Sequence, residues 1–177
     1  MSGKVLIIET DQAFRQSLAQ WISGSGFKGS LASDGPEGEE IAREEEFDVV
    51  IIGLLGLGRE GLGVLRMIKE LRPLTEVILI AGHEQLPLSI EGMKLGAFDD
   101  LRAPIDMDEL LSRVHDACRK RKRNLRTGKR SIRKRLQDLF VAATYAEAGE
   151  FDAAREVLES GKRRTGSDKP DHDKHDT

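Results

Sequence analysis

Three short runs limit what this chain can become. Val5-Leu6-Ile7-Ile8, Val49-Val50-Ile51-Ile52 and Val77-Ile78-Leu79-Ile80 are unbroken aliphatic tetrads. A strand with one wet face alternates apolar and polar residues. An unalternated run is buried on both faces, as inside a parallel sheet covered by helices. The stretch between each pair of runs has helical periodicity, so the pattern predicts a doubly wound α/β domain.

The punctuation gives the remaining elements. Phe14, Leu18, Trp21 and Ile22 make one apolar face of a helix over 12–23, stopped by Gly24 and Gly26. A weak strand is expected over 29–32, then a poorly apolar helix over 36–46 with Asp34 as cap and Pro36 in its first turn. The central strand, 48–52, runs into a glycine-rich loop. Val64, Leu65, Ile68 and Leu71 mark the next helix, ending before Pro73. A strand over 76–80, a helix over 87–95, a short strand over 98–102 and a helix from Met107 complete five strand–helix repeats. Right-handed crossovers then give the flavodoxin-like strand order 2-1-3-4-5, with the ligand crevice past the carboxyl ends of the first and third strands.

Charge divides the chain. Residues 1–118 carry 11 Lys+Arg against 21 Asp+Glu; residues 119–177 carry 17 against 10. Within 119–135, 11 of 17 residues are basic. The expected organisation is a domain over 1–120, a basic linker over 121–131 broken at Thr127-Gly128, a helical hairpin over 132–160 and a disordered tail over 161–177. No apolar run approaches the ~20 residues of a membrane span. The first strand starts at Lys4, which leaves no room for a signal peptide, and the lone Cys118 allows no internal disulfide. A cytoplasmic protein with no membrane partner is expected.

Several stretches carry a family resemblance. Val5–Asp11 reads as a first strand with an acidic end, and Phe47–Ile52 as the strand that delivers a phosphoacceptor. Met93-Lys94-Leu95-Gly96-Ala97-Phe98-Asp99, and Pro104 with Ile105-Asp106, complete the set. Over about 3–120 the chain resembles a two-component response-regulator receiver domain. The resemblance implies phosphoryl transfer to an aspartate, a Mg²⁺ held by carboxylates, a lysine on the phosphoryl oxygens and a switch hydroxyl. Here the phosphoacceptor position is Gly53, the acid pair is Glu9-Thr10, the hydroxyl position is Ala81, the lysine position is Ala103 and the switch aromatic is Asp100. The resemblance also makes Ala103-Pro104 a candidate cis peptide. Asp48 lies roughly 16 Å back along its strand and Asp100 roughly 10 Å back on its own, at ~3.3 Å per residue. Asp11 is nearer but has no lysine to assist it, and Glu60 falls near the next helix. The expectation is a degenerate pseudo-receiver in signal transduction: no enzyme, no catalytic residue, no cofactor and no metal.

Gly56-Leu57-Gly58-Arg59-Glu60-Gly61 fits a G-x-G-x-x-G dinucleotide fingerprint, but follows the third strand and has no acid-tipped strand after it; a degenerate loop is the reading favoured. The basic segment 119–135 supports an alternative function, a nucleic-acid-associated regulator, against a solvated helix end folded onto the acidic body. His172 and His175 sit in a polar tail that organises ligands poorly. Tyr145–Ala154 resembles a single tetratricopeptide-type hairpin. One such repeat cannot bury its apolar faces alone. Leu136, Leu139 and Phe140, with Phe151 and Leu158, are therefore expected to lean on the receiver itself, on a second copy of the chain or on another signalling protein, against a plain two-helix extension with no recognition role.

Overall fold

The computed structural model describes residues 3–163. Five parallel strands form one sheet: β1 (Lys4–Ile8), β2 (Lys28–Ala32), β3 (Val49–Gly53), β4 (Glu76–Ala81) and β5 (Asp99–Arg102), in the order β2-β1-β3-β4-β5. Among the described residues seven α-helices accompany them: α1 (Gln12–Gly24), α2 (Gly35–Glu44), α3 (Leu54–Leu57), α4 (Arg59–Leu71), α5 (Leu86–Lys94), α6 (Met107–Glu147) and α7 (Phe151–Arg163). The chain divides into two compact units, Met1–Leu125 and Arg126–Thr177.

The aliphatic tetrads sit where their pattern demands. Val5 pairs with Val49, Ile8 with Ile52 and Val50 with Val77. Strand side chains alternate between faces. Leu6, Ile8, Val50, Ile52, Val77 and Leu79 therefore enter one core with Leu62, Leu65 and Ile68 of α4. Val5, Ile7, Val49, Ile51, Ile78 and Ile80 enter the other, with Leu18 and Ile22 of α1 and Leu110 and Val114 of α6. Each such side chain contributes about 1.5–3 kcal/mol of burial. Local chemistry sets the helix starts. Asp11 accepts from Phe14 N at 2.7 Å and Asp34 from Glu37 N at 2.8 Å.

The amino ends of the strands carry a charge cluster that no local pattern announced. Asp48 accepts from Arg121 Nη1 at 2.7 Å and from Lys4 N at 2.9 Å. Glu76, 3% exposed, holds Lys120 at 3.0 Å and Lys69 at 3.9 Å. Glu46 pairs with Arg72 and Arg121. The Lys120 ammonium also stands 5.1 Å over the Phe98 ring. Burial pushes Lys69 below the usual lysine range, and Glu76 opposes that shift. The start of the basic run is thus folded onto acids of the sheet.

Three expectations need correction. The helix does not break at Thr127-Gly128; α6 is continuous through residues 121–131. The glycine stretch after β3 is not an open loop. It holds the turn of α3, and Gly58, at φ +52, joins it directly to α4. Helix α7 continues through Arg163, so the expected tail is helical at 161–163; 164–177 lies outside the described residues, along with His172 and His175. Ala103-Pro104 is cis. Among the described residues no helix is long and apolar enough to cross a membrane.

Arg121 and Asp48 are nearly buried, with side chains 13% and 15% exposed. Removing the cation leaves Asp48 buried without its partner. Arg121→Ala should lower unfolding stability by about 3 kcal/mol in urea titration.

Candidate functional site

The crevice past the carboxyl ends of β1 and β3 is where this topology places ligand chemistry. Glu9 follows β1 directly, and its backbone N donates to Ala32 O at 3.1 Å. The side chain turns inward and is 3% exposed. Its Oε1 accepts from Asp11 N at 2.9 Å and from Thr10 Oγ1 at 3.4 Å. Its Oε2 is buried with no hydrogen-bond partner among the described residues. Arg15 Nη1 donates to the backbone carbonyls of Glu9 and Thr10.

Gly53, the last residue of β3, lies under that carboxylate. A Cβ built on Gly53 would stand 1.9 Å from Glu9 Oε2 and 2.8 Å from Glu9 Cδ. Gly56 repeats the arrangement: its Cβ would meet Thr10 Oγ1 at 1.7 Å. The acid pair therefore fills the volume that side chains at the two glycines would need. Sequence alone gave the glycines but not what occupies their space.

The other expected positions fall on the same end of the sheet. Ala81 ends β4 and is buried. Ala103 N donates to Ala81 O at 2.9 Å, so the hydroxyl and lysine positions are joined through backbone alone. Asp100, in β5, accepts from Ser89 Oγ of α5 at 2.6 Å. Ser89 is 1% exposed and was missed in sequence. Its signal was a lone hydroxyl at i+3 between Leu86 and Gly92 on one helix face. Asp11 is spent on the α1 cap.

A hard divalent cation needs several oxygen ligands. Among the described residues no group of three His, Cys, Asp or Glu is placed to hold a metal. Of the residues expected at this end of the sheet, Glu9, Thr10, Gly53, Ala81 and Ala103, only Glu9 carries a carboxylate, so they do not fit Mg²⁺. Cys118 is no nucleophile either: burial first, then the Asp48 charge, pushes its thiol to about 11.

Residues 126–163 present a different surface. Gly149, at φ +81, turns the chain between α6 and α7, and Ala142 and Ala154 are buried. Ile132, Leu136, Leu139 and Leu158 are exposed, as are Phe140 at 76% and Phe151 at 71%.

The model of the response regulator receiver domain family matches residues 5–115. A putative NtrX-like response regulator of Rickettsia typhi is 32% identical over 116 residues, 64% of this chain and 24% of the relative. The transcriptional regulatory protein YkoG of Bacillus subtilis is 29% identical over 117 residues, 66% of this chain and 51% of the relative. The chain thus spans a quarter to a half of these relatives' length. Among solved structures, a response regulator receiver domain protein from Clostridium thermocellum has a TM-score of 0.64 at 31% identity, covering 68% of this chain and 97% of that one.

Alanine is the better strand former, so Gly53→Ala would stabilise an open site. Against the Glu9 carboxylate it should instead cost about 1–3 kcal/mol. That cost should vanish in a Glu9→Ala background, read as coupling in a double-mutant cycle of unfolding free energies.

Proposed function

The chain belongs to the response regulator receiver family, and from that premise we propose that it is a pseudo-receiver, a receiver that takes no phosphoryl group at the usual position. One observation carries this reading: at Gly53, where the resemblance puts the phosphoacceptor, the space a side chain would need is filled by the Glu9 carboxylate. Three further absences support it. Thr10 offers no carboxylate to a metal, Ala103 no cation to the phosphoryl oxygens and Ala81 no hydroxyl. Without charge-stabilising groups, no aspartate nearby gains the electrostatic help that phosphoryl transfer requires. Asp100, tied to Ser89, replaces a side chain that would have to rotate in a switch.

Output then rests on contact rather than chemistry. In this reading α7 and the end of α6 form a tetratricopeptide-like helical hairpin, closed by Ala142 and Ala154, that offers Leu136, Leu139, Phe140, Phe151 and Leu158 to a protein. Each large apolar side chain left in water forgoes about 1.5–3 kcal/mol of burial. The partner is a cytoplasmic signalling protein or a second copy of the chain. Binding is constitutive, since no phosphoryl group gates it.

Acetyl phosphate or beryllofluoride with Mg²⁺ should leave no adduct on residues 1–125 by intact-mass and peptide mass spectrometry; an aspartyl phosphate there would refute the pseudo-receiver reading. Phe140→Asp should reduce self-association or partner capture by at least about tenfold, one buried aromatic being worth that or more. Circular dichroism should show the receiver still folded.

A further inference from the structure

The continuity of α6 turns a basic stretch of sequence into a surface. Arg126, Lys129, Arg130, Arg133 and Lys134 recur at i, i+3, i+4, i+7 and i+8, which is one face of an α-helix. All five are exposed. At ~1.5 Å per residue they span roughly 12 Å. No Asp or Glu lies between Asp116 and Asp138 to neutralise them locally. At the start of the basic run, Arg119 pairs with Asp116, Lys120 with Glu76 and Arg121 with Asp48 and Glu46. Among the described residues the five later cations have no such partner. Like charges at i+3 and i+4 destabilise a helix, so this face is held at a cost that a bound polyanion would remove.

We propose that this face binds the sugar–phosphate backbone of duplex nucleic acid, without sequence preference. Three of the five cations are arginines, whose planar forks suit phosphate oxygens. Residues 99–139 contain no Phe, Tyr or Trp, so the face has no platform on which unpaired bases could stack. That favours a duplex over a single strand. A helix lying in an anionic membrane needs apolar and basic faces over the same turns. Here 126–131 has no aliphatic or aromatic side chain, and the apolar stripe begins only at Ile132. The proposal is independent of the protein contact above, which uses the stripe and not the cations.

The test is fluorescence anisotropy of the full chain with a mixed-sequence duplex, its single strand, phosphatidylserine vesicles and poly-glutamate as competitors. Five phosphate contacts predict a slope of log K on log salt of about −4.5, at ~0.9 per contact. Arg130→Ala/Arg133→Ala should weaken duplex binding about tenfold or more and flatten the slope by about 1.8. Circular dichroism checks that α6 survives. Phe140→Asp should leave duplex binding intact, so failure of the protein contact and failure of this proposal read separately. The proposal is overturned if the duplex fails to bind at about 25 mM salt, or if the double variant binds it equally. Tighter binding to the single strand or to vesicles, or equal displacement by poly-glutamate, overturns it as well.

Discussion

Burial of the sheet on both faces is the constraint from which the rest follows. Val49, Val50, Ile51 and Ile52 lie at 0–1% exposure, and their neighbours on β1 and β4 are as dry. A strand closed on both faces can present polar chemistry only at its ends. The two ends have been used differently. The amino ends hold Asp48 and Glu76, each satisfied by cations from α6. The carboxyl ends hold Glu9, half satisfied, and glycine.

This polarity explains why an acidic body tolerates its charge. At the amino ends, buried carboxylates meet Lys120 and Arg121, and the desolvation of each is offset by a close opposite charge. At the carboxyl ends no side-chain cation among the described residues pairs with the Glu9 carboxylate. One oxygen is held by the Asp11 amide and the other packs against the Gly53 backbone. A catalytic site of this topology would need its negative charges crowded together and balanced by metal and lysine. Crowding without that balance raises carboxylate pKa values and costs stability. The single inward carboxylate avoids most of that penalty.

The strands, their order and the placement of Glu9, Thr10, Gly53, Ala81 and Ala103 at the carboxyl end of the sheet were legible because aliphatic tetrads and short motifs are local signals. What was illegible is contact between distant segments. Asp48 and Arg121 are 73 residues apart, and Glu76 and Lys120 are 44 apart, so neither pair has a spacing to recognise. Ser89 and Asp100 meet across a helix–strand junction for the same reason. The break expected at Thr127-Gly128 failed for another cause. Glycine costs a helix about 1 kcal/mol relative to alanine, a penalty that favourable neighbours on both sides can carry. Alanine and leucine after residue 135 and the anchored turns before 121 supply them.

The packing of Glu9 against Gly53 makes the order of future substitutions matter. An aspartate at residue 53 is one small chemical step from glycine, yet its Cβ would land where Glu9 Oε2 already sits. The change is therefore penalised in this background on steric grounds alone. It becomes tolerable only after Glu9 has been shortened or drawn aside. Thr10 imposes the same precedence on Gly56. Two adjacent contacts, each trivial alone, thus act as a ratchet: a side chain can enter at either glycine only after its neighbour has given way.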